Sequence, residues 1–307
     1  MAKSLLTPPP TTLAPIPFED LVAQASAALP DSLQEAGPSL LVALDIDGTL
    51  LTADGASKAV VDTIERLQSA GANVVIATGR GVGATLPVLR EVGIHDGWAV
   101  ASNGAIVLRI VDGQHEVVSK RYFDPGPLID QVAQHLPGAI LAVEDDSPYY
   151  RVSRVFPPRE LIEDFRIDDL EGLKSKPVTK LVVRMPGMSV EDFEARVNEL
   201  DMSNLSYAIG WTAWMDVNAP DTTKAGSLEW LRAELGVPLT GSVAVGDGTN
   251  DMAMLRWAHH SVAMGGAVEQ VRQCANAVTG PVEYDGAAAV MEALLRRAAG
   301  NKNGSLM

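Results

Sequence analysis

Short apolar runs alternate with longer amphipathic segments along much of the chain. An apolar run at residues 40–44 precedes a helical pattern at 58–70 that stops at Gly71. The alternation continues with apolar runs at 73–77, 98–101, 243–245 and 261–264 and with helical patterns at 82–92, 250–258 and 268–275. Continuous apolar runs are typical of strands covered on both faces, and their alternation with helices predicts a parallel sheet. We therefore expect a doubly wound α/β core.

The middle of the chain breaks this rhythm. Two strand patterns, at 106–110 and 116–122, flank the hairpin signal Asp112-Gly113. Beyond them, helical patterns at 128–136 and 191–200 alternate with strand patterns at 140–143, 180–185 and 206–214. This order predicts an α+β insert with an antiparallel sheet. The predicted organisation is a core made of residues 39–123 and 217–307, with the insert at 124–216.

The first 38 residues form an extension ahead of this pattern. Prolines at 8, 9, 10 and 15 are incompatible with a helix or a strand ladder, so residues 1–16 are predicted to be disordered. An amphipathic stretch from residue 18 to about 33 is expected to pack as an added helix.

Composition restricts the classes of partner. The chain has 307 residues, of which 47% are hydrophobic and 21% charged, as in ordinary soluble globular proteins. Its formal charge of −15 argues against nucleic acid and anionic membranes, which attract Lys and Arg. No apolar run approaches the roughly 20 residues of a membrane helix, and the single Cys274 cannot form an internal disulfide. We expect no secretory signal, because no apolar segment precedes the prolines. We expect a cytoplasmic monomer or homodimer that binds neither nucleic acid nor membrane.

The ends of three predicted strands carry the candidate functional side chains. These residues are Asp45, Asp47, Thr78, Gly79, Asp247, Asn250 and Asp251. Ligands of open parallel sheets bind outside the carboxyl ends of the strands, so these residues are expected to converge. Clustered carboxylates repel one another unless a cation lies among them, and oxygen ligands without clustered His or Cys favour Mg²⁺.

Lys224 supplies a positive partner for these carboxylates. It lies in the first turn of a predicted helix, where a cation opposes the helix dipole, and pairing with the aspartates and a phosphate would explain its position. With Mg²⁺, it would allow Asp45 to attack phosphorus while Asp47 acts first as acid and then as base. Thr78 and the amides around Gly79 would hold the phosphoryl oxygens.

Four ordered segments resemble the sequence motifs of the haloacid dehalogenase superfamily. They are Asp45-Ile46-Asp47-Gly48-Thr49-Leu50, the segment 75–80 around Thr78, Lys224, and the segment 246–255. The resemblance covers about residues 40–297 and implies a Rossmann-like core. It also implies that the Asp45 and Asp247 side chains and the Asp47 main-chain carbonyl bind Mg²⁺. Asp251 would be a further ligand or a carboxylate behind the ligands, and Asn250 would orient Lys224 or the phosphate.

The position of the insert indicates a subclass. Only one helix fits between Asp47 and Thr78, whereas the long insert lies between Thr78 and Lys224. This arrangement, together with Ser102-Asn103-Gly104-Ala105, resembles the Cof-type (subclass IIB) phosphatases, which carry a C2B-type cap domain. The chain departs from that pattern at 263–267, where it has Gly266 in place of the usual asparagine, and at Asp221, where glycine is usual.

The resemblance predicts Mg²⁺-dependent hydrolysis of a small phosphomonoester, such as a sugar phosphate, through an aspartyl-phosphate on Asp45. A phosphotransferase such as a hexose-phosphate mutase would share that intermediate. A non-catalytic phosphate-binding or regulatory protein is a third hypothesis, although every catalytic position is filled.

Some residues also have simpler interpretations. Asp251 could be structural only, because the helix dipole stabilises an acid in a first turn. Arg80 is expected to be a local ion-pair partner rather than a substrate ligand. Four aromatic residues of the insert either form the floor of a pocket or pack its sheet, namely Tyr149, Tyr150, Trp211 and Trp214.

Overall fold

The computed structural model describes residues 11–304. Its helices are α1 (Phe18–Ala28), α2 (Lys58–Ser69), α3 (Val82–Glu91), α4 (Gly126–His135), α5 (Leu170–Lys174), α6 (Val190–Val197), α7 (Lys224–Glu234), α8 (Met252–Trp257), α9 (Glu269–Arg272) and α10 (Gly286–Gly304). Its strands are β1 (Leu41–Leu44), β2 (Leu51–Thr52), β3 (Gly55–Ala56), β4 (Asn73–Ala77), β5 (Gly97–Ala101), β6 (Ile106–Val111), β7 (Gln114–Lys120), β8 (Ile140–Glu144), β9 (Tyr150–Val152), β10 (Phe165–Ile167), β11 (Lys180–Arg184), β12 (Ser206–Ile209), β13 (Trp214–Asn218), β14 (Ser242–Gly246), β15 (His260–Ala263) and β16 (Ala277–Val278). None of the helices within 11–304 combines the length and apolarity needed to cross a bilayer.

An eight-stranded sheet forms the centre of the molecule, in the order β16-β15-β14-β1-β4-β5-β6-β7. The strands from β16 to β5 are parallel, and β6 and β7 extend the sheet as an antiparallel hairpin. In this register Leu44 of β1 pairs with Val245 of β14 and with Ile76 of β4. The residues that follow these three strands therefore emerge side by side at one edge of the sheet.

Helices cover both faces of this sheet, because its central strands are apolar on both sides. Val42 and Leu44 of β1 belong to a buried cluster that includes residues of α2, α3 and α10, whereas Leu41 and Ala43 face a second cluster with residues of α7, α8 and α9. All four residues of β1 are fully buried. Fully burying one such leucine or valine stabilises the fold by about 1.5–3 kcal/mol. The predicted doubly wound α/β core is confirmed.

The insert forms a separate six-stranded sheet in the order β10-β9-β8-β11-β13-β12. The pairings from β9 to β12 are antiparallel, as predicted, but β10 joins the edge in parallel with β9. Residues of α4, α5 and α6, including the buried Ile129 and Phe193, pack on one face of this sheet. We call this layer the cap. Its boundaries at residues 124 and 216 stay a prediction.

The N-terminal extension packs on the end of the chain. Leu21 and Val22 of α1 are buried in the same core cluster as residues of α10, and Arg296 binds the Glu19 carboxylate through both terminal nitrogens at 2.7 and 2.9 Å. The predicted helix is therefore present, although it ends at residue 28. Residues 11–16 adopt no helix or strand and make hydrogen bonds to Glu283 and Tyr284. The part of the predicted disorder that falls on residues 1–10 lies outside the described residues.

We expect Leu21→Ala to lower the free energy of unfolding by about 2–5 kcal/mol, because it removes a fully buried side chain from the contact between α1 and the core. Urea denaturation would measure the loss. Gln24→Ala, at an exposed position on the same helix, is the matched control and should change stability by less than about 0.5 kcal/mol. Equal effects of the two substitutions would show that α1 does not contribute to the folded core.

Candidate active site

The chain reverses sharply immediately after β1, and this turn exposes Asp45 at the sheet edge. The Asp45 amide still donates to the Val245 carbonyl at 3.1 Å, so the aspartate continues the strand ladder. The amides of Thr49, Leu50 and Leu51 then all donate to the carbonyl of Ile46. Gly48 has φ +80°, a conformation that glycine adopts without strain. The turn fixes the direction of Asp45 and leaves Asp47 at its rim.

Three buried carboxylates meet at this edge. One oxygen each of Asp45, Asp247 and Asp251 lies within 4.8 Å of the other two. Burial raises the pKa of Asp45 to about 7, with a further contribution from Asp251 that Lys224 partly offsets. Burial, and then the charges of Asp45 and Asp251, also raise the pKa of Asp247 well above its usual range. Three buried carboxylates this close together, with a single lysine beside them, form an oxygen donor set that fits a hard divalent cation.

Lys224 is the only cation in contact with this cluster among the described residues. Its side chain is fully buried, and its Nζ lies 2.6 Å from Oδ1 of Asp45 and 2.6 Å from Oδ1 of Asp251. Burial would lower the pKa of the ammonium, but the two aspartates outweigh it and raise the pKa, so Lys224 stays charged. Thr223 caps α7 by accepting from the Gly226 amide at 3.1 Å, which fixes the helix end that carries the lysine.

Asp251 also organises the loop after β14. Its Oδ2 accepts from the amides of Asp247 and Gly248, both at 2.9 Å, while its Oδ1 accepts from Lys224. Both oxygens are therefore engaged by protein donors. Asn250 donates to Oδ1 of Asn103 at 3.0 Å, and the structure shows no hydrogen bond between Asn250 and Lys224. Thr49 adds a 3.1 Å hydrogen bond to Asp247.

Arg80 connects the turn after β1 to the loop after β4. Its guanidinium donates to both oxygens of Asp47, at 2.8 Å from Nε and 2.6 Å from Nη2. The interpretation of Arg80 as a local ion-pair partner agrees with this geometry. In the same loop the Arg80 amide donates to Oγ1 of the buried Thr78 at 3.1 Å. The Thr78 oxygen is therefore an acceptor here, and its single hydrogen remains available to a ligand.

A cavity of about 760 Å³ lies between this edge of the sheet and the cap. Its floor includes Asp45, Asp47, Thr78, Gly79, Asp247 and Asn250. Three of the four predicted aromatic residues line it, namely Tyr150, Trp211 and Trp214, whereas Tyr149 contacts Arg166 outside it. Lys224 and Asn250 also line an adjoining cavity of about 530 Å³, so the structure brings all eight predicted site residues to one region.

Several polar contacts at the boundary between cap and core were not predicted from the sequence. Asn103 donates to Asp216 at 3.1 Å, and the Ser102 hydroxyl donates to the Glu144 carboxylate. Lys180 of β11 donates to the Gly79 carbonyl at 2.9 Å. A signal did exist for Lys180, because a lysine next to the apolar run Leu181-Val182-Val183 of a buried strand needs a polar partner.

Comparison with known proteins shows the family to which the chain belongs. A family model described as haloacid dehalogenase-like hydrolase matches residues 42–291, which is most of the chain. The chain belongs to this family of hydrolases, as its sequence motifs predicted. Its fold and buried aspartates at the sheet edge agree with that membership.

Individual relatives are phosphatases by name. Phosphatase YwpJ of Bacillus subtilis (strain 168) is 28% identical, over 83% of this chain and 99% of its own length. From the same organism, 5-amino-6-(5-phospho-D-ribitylamino)uracil phosphatase YitU is 27% identical, over 81% of this chain and 94% of its own length. Among solved structures, the HAD subclass IIB sugar phosphatase BT4131 has a TM-score of 0.71 at 23% identity and covers 82% of this chain and 98% of its own. This likeness shows that the two proteins share a fold.

We expect Lys224→Met to lower the free energy of unfolding by about 3–5 kcal/mol in buffer without divalent cations, because it leaves the buried Asp45 and Asp251 without a counter-charge. Urea denaturation would measure the loss. Lys58→Met removes a lysine from an exposed pair with Asp62 and should cost less than about 1 kcal/mol. If both variants lost the same small amount, the buried pairing would not stabilise the fold.

Proposed function

We propose that this protein is a phosphatase that hydrolyses small phosphomonoesters with Mg²⁺, through an aspartyl-phosphate on Asp45. One observation carries the proposal: Asp45 is a buried carboxylate that accepts from Lys224 and opens into the cavity below the cap. Membership of the hydrolase family and the phosphatase names of YwpJ and YitU support it.

The same residues supply a metal site. The Asp45 and Asp247 side chains and the main-chain carbonyl of Asp47 would hold Mg²⁺, which would supply positive charge opposite the phosphoryl oxygens. Asp251 would act behind these ligands, because its oxygens already accept from Lys224 and from two loop amides. This arrangement accounts for a donor set made of oxygen atoms only.

The reaction would proceed in two displacements at phosphorus. An Asp45 oxygen forms a bond to phosphorus as the bond to the leaving oxygen breaks, and Asp47 gives that oxygen a proton. Asp47 then takes a proton from water as the water oxygen attacks phosphorus and Asp45 leaves. Arg80 occupies both oxygens of Asp47, so the ion pair has to open before Asp47 can carry a proton to the leaving group.

Other groups would hold the transferring phosphoryl group. Thr78 would donate its hydroxyl hydrogen to a phosphoryl oxygen while its own oxygen accepts from the Arg80 amide. The amide of Gly79 and the ammonium of Lys224 are further donors at the same edge, and Asn250 would contribute its amide. Donors fixed in advance of the reaction stabilise charge on phosphoryl oxygens without reorganising.

The size of the cavity favours a compact substrate. A volume of about 760 Å³ is typical of small-molecule sites, and the cap would restrict access by a bulky protein substrate. Trp211 and Trp214 offer flat surfaces on which a sugar or another ring can pack. BT4131 is described as a sugar phosphatase, which supports a sugar phosphate or similar metabolite as the substrate class. A cytoplasmic monomer or homodimer remains part of the proposal.

A phosphotransferase such as a phosphohexomutase would use the same aspartyl-phosphate and pass it to a second sugar hydroxyl. Release of inorganic phosphate from p-nitrophenyl phosphate without a bisphosphate activator would favour hydrolysis over this alternative. A non-catalytic phosphate-binding protein would release none from any phosphomonoester.

We expect Asp45→Asn to reduce phosphate release by about a thousandfold or more, since it removes the nucleophile while keeping the shape of the side chain. The assay is phosphate release with Mg²⁺ from sugar, polyol, nucleotide and cofactor phosphates. Asp62→Asn, at an exposed position, is the control and should retain wild-type rates. Equal turnover by Asp45→Asn and wild type would contradict the assigned nucleophile.

We expect Mg²⁺ to raise the melting temperature of the wild type and to have little effect on Asp247→Asn. Binding to the folded state alone stabilises it by about 2.7 kcal/mol at a concentration about 100 times the Kd. Thermal unfolding with and without Mg²⁺ would measure the shift, with Asp62→Asn as the control that keeps it. An undiminished shift in Asp247→Asn would place the metal elsewhere.

A further inference from the structure

Lys180 is a buried lysine of the cap that faces the core. Strand β11 has no exposed residue, and the Lys180 side chain lies over the ring of Tyr150, with Nζ 5.6 Å from the ring centre. Only 4% of the residue is exposed. Burying an ammonium is costly, so an apolar residue would serve simple packing better at this position.

The ammonium reaches across the boundary between the two layers. Its Nζ donates to the Gly79 carbonyl at 2.9 Å, and Gly79 belongs to the loop after β4 that carries Thr78. Three carboxylates lie close enough to act on its charge, namely Asp216, Glu144 and Glu163. Burial would lower the pKa of Lys180, but these carboxylates outweigh it and raise the pKa. Lys180 is therefore a charged donor aimed at one peptide group of the core.

The peptide between Gly79 and Arg80 is held from both sides. Its carbonyl accepts from Lys180, and its N–H donates to Oγ1 of Thr78 at 3.1 Å. The hydrogen bond from the peptide occupies the hydroxyl oxygen as an acceptor, so the remaining hydrogen of Thr78 can point only away from that N–H. The orientation of this peptide thus limits the directions in which the Thr78 hydroxyl can donate. The same residue, Arg80, directs its guanidinium to Asp47.

We propose that Lys180 is a positioning residue through which the docked cap orients the Gly79–Arg80 peptide, and with it the hydroxyl of Thr78 and the Arg80 partner of Asp47. The proposal rests on the proposed phosphatase function and extends it. When the cap moves away, the Gly79 carbonyl loses its cap donor. The phosphate-binding loop is then fully organised only while the cap covers the cavity, which ties catalysis to exclusion of water.

The experiment compares three variants by kcat and KM for p-nitrophenyl phosphate with Mg²⁺. Lys180→Met removes the donor and should lower kcat about 10–100-fold while KM changes much less, because the donors to the phosphoryl group are misplaced. Lys180→Arg keeps a charged donor at this position and should recover a large part of the loss. Lys176→Met removes an equivalent ammonium from an exposed site on the cap and should stay within about twofold of wild type.

A double-mutant cycle with Thr78→Val separates positioning from a general structural effect. If Lys180 acts through Thr78, Lys180→Met should cost much less in the Thr78→Val background than in the wild type. The proposal would be overturned if the two substitutions lowered kcat by independent factors that multiply in the double variant. It would also be overturned if Lys180→Met behaved like Lys176→Met. If Lys180→Met alone does not fold, the double variant Lys180→Met/Glu163→Gln replaces it in the same cycle with Thr78→Val. This double variant removes one charge of each sign.

The outcomes also distinguish this proposal from the function on which it rests. If Asp45→Asn abolishes turnover but the Lys180 variants have wild-type kcat, the phosphatase assignment stands and the role of Lys180 is wrong. If the wild type releases no phosphate from any phosphomonoester, both are overturned.

Discussion

The structure depends on the burial of three aspartates around a single lysine at the edge of a parallel sheet. Carboxylates are strongly hydrated, and moving them into a protein interior raises their pKa unless positive charge compensates them. Lys224 pairs with Asp45 and Asp251, so one of the three carboxylates, Asp247, has no cation in contact with it among the described residues. The remaining negative charge is what a divalent cation would neutralise. The same imbalance that makes the site unfavourable in isolation would favour a bound cation, and the apolar packing on both faces of the sheet holds the aspartates in place against their repulsion.

Much of this arrangement could be predicted from the sequence, because the functional side chains directly follow predicted strands. The runs before Asp45, Thr78 and Asp247 are short, apolar and separated by helices, so a parallel sheet with its functional side chains at one edge was the consistent solution. Lys224 was found because a lysine in a first turn opposes the helix dipole. The family resemblance gave the order of the motifs and the position of the cap.

The parts that were missed depend on contacts between distant segments. The cap strands β9 and β10 are only three residues long, and the strand predicted at 206–214 ends at residue 209, with a bend at 211–213 before β13 begins at Trp214. The bonds from Lys180 to Gly79 and from Asn103 to Asp216 cross between layers, and local periodicity contains no information about them. The bond from Asn250 to Asn103 was likewise not predicted, and the role of Asn250 toward Lys224 or a phosphate stays a prediction. In the sequence, the one sign of such a boundary residue is a polar side chain within a strand that is otherwise predicted to be buried.

The pairing of β1 with β14 has a consequence for the order in which the chain can fold during synthesis. The ribosome completes the cap before β14 emerges, so the cap sheet, whose strands are contiguous in the chain, can form while β1 still lacks one of its two neighbours. Helix α1 likewise packs on α10, which follows β14 in the chain. The nascent chain therefore carries an unpaired apolar strand edge at β1 until β14 has been translated.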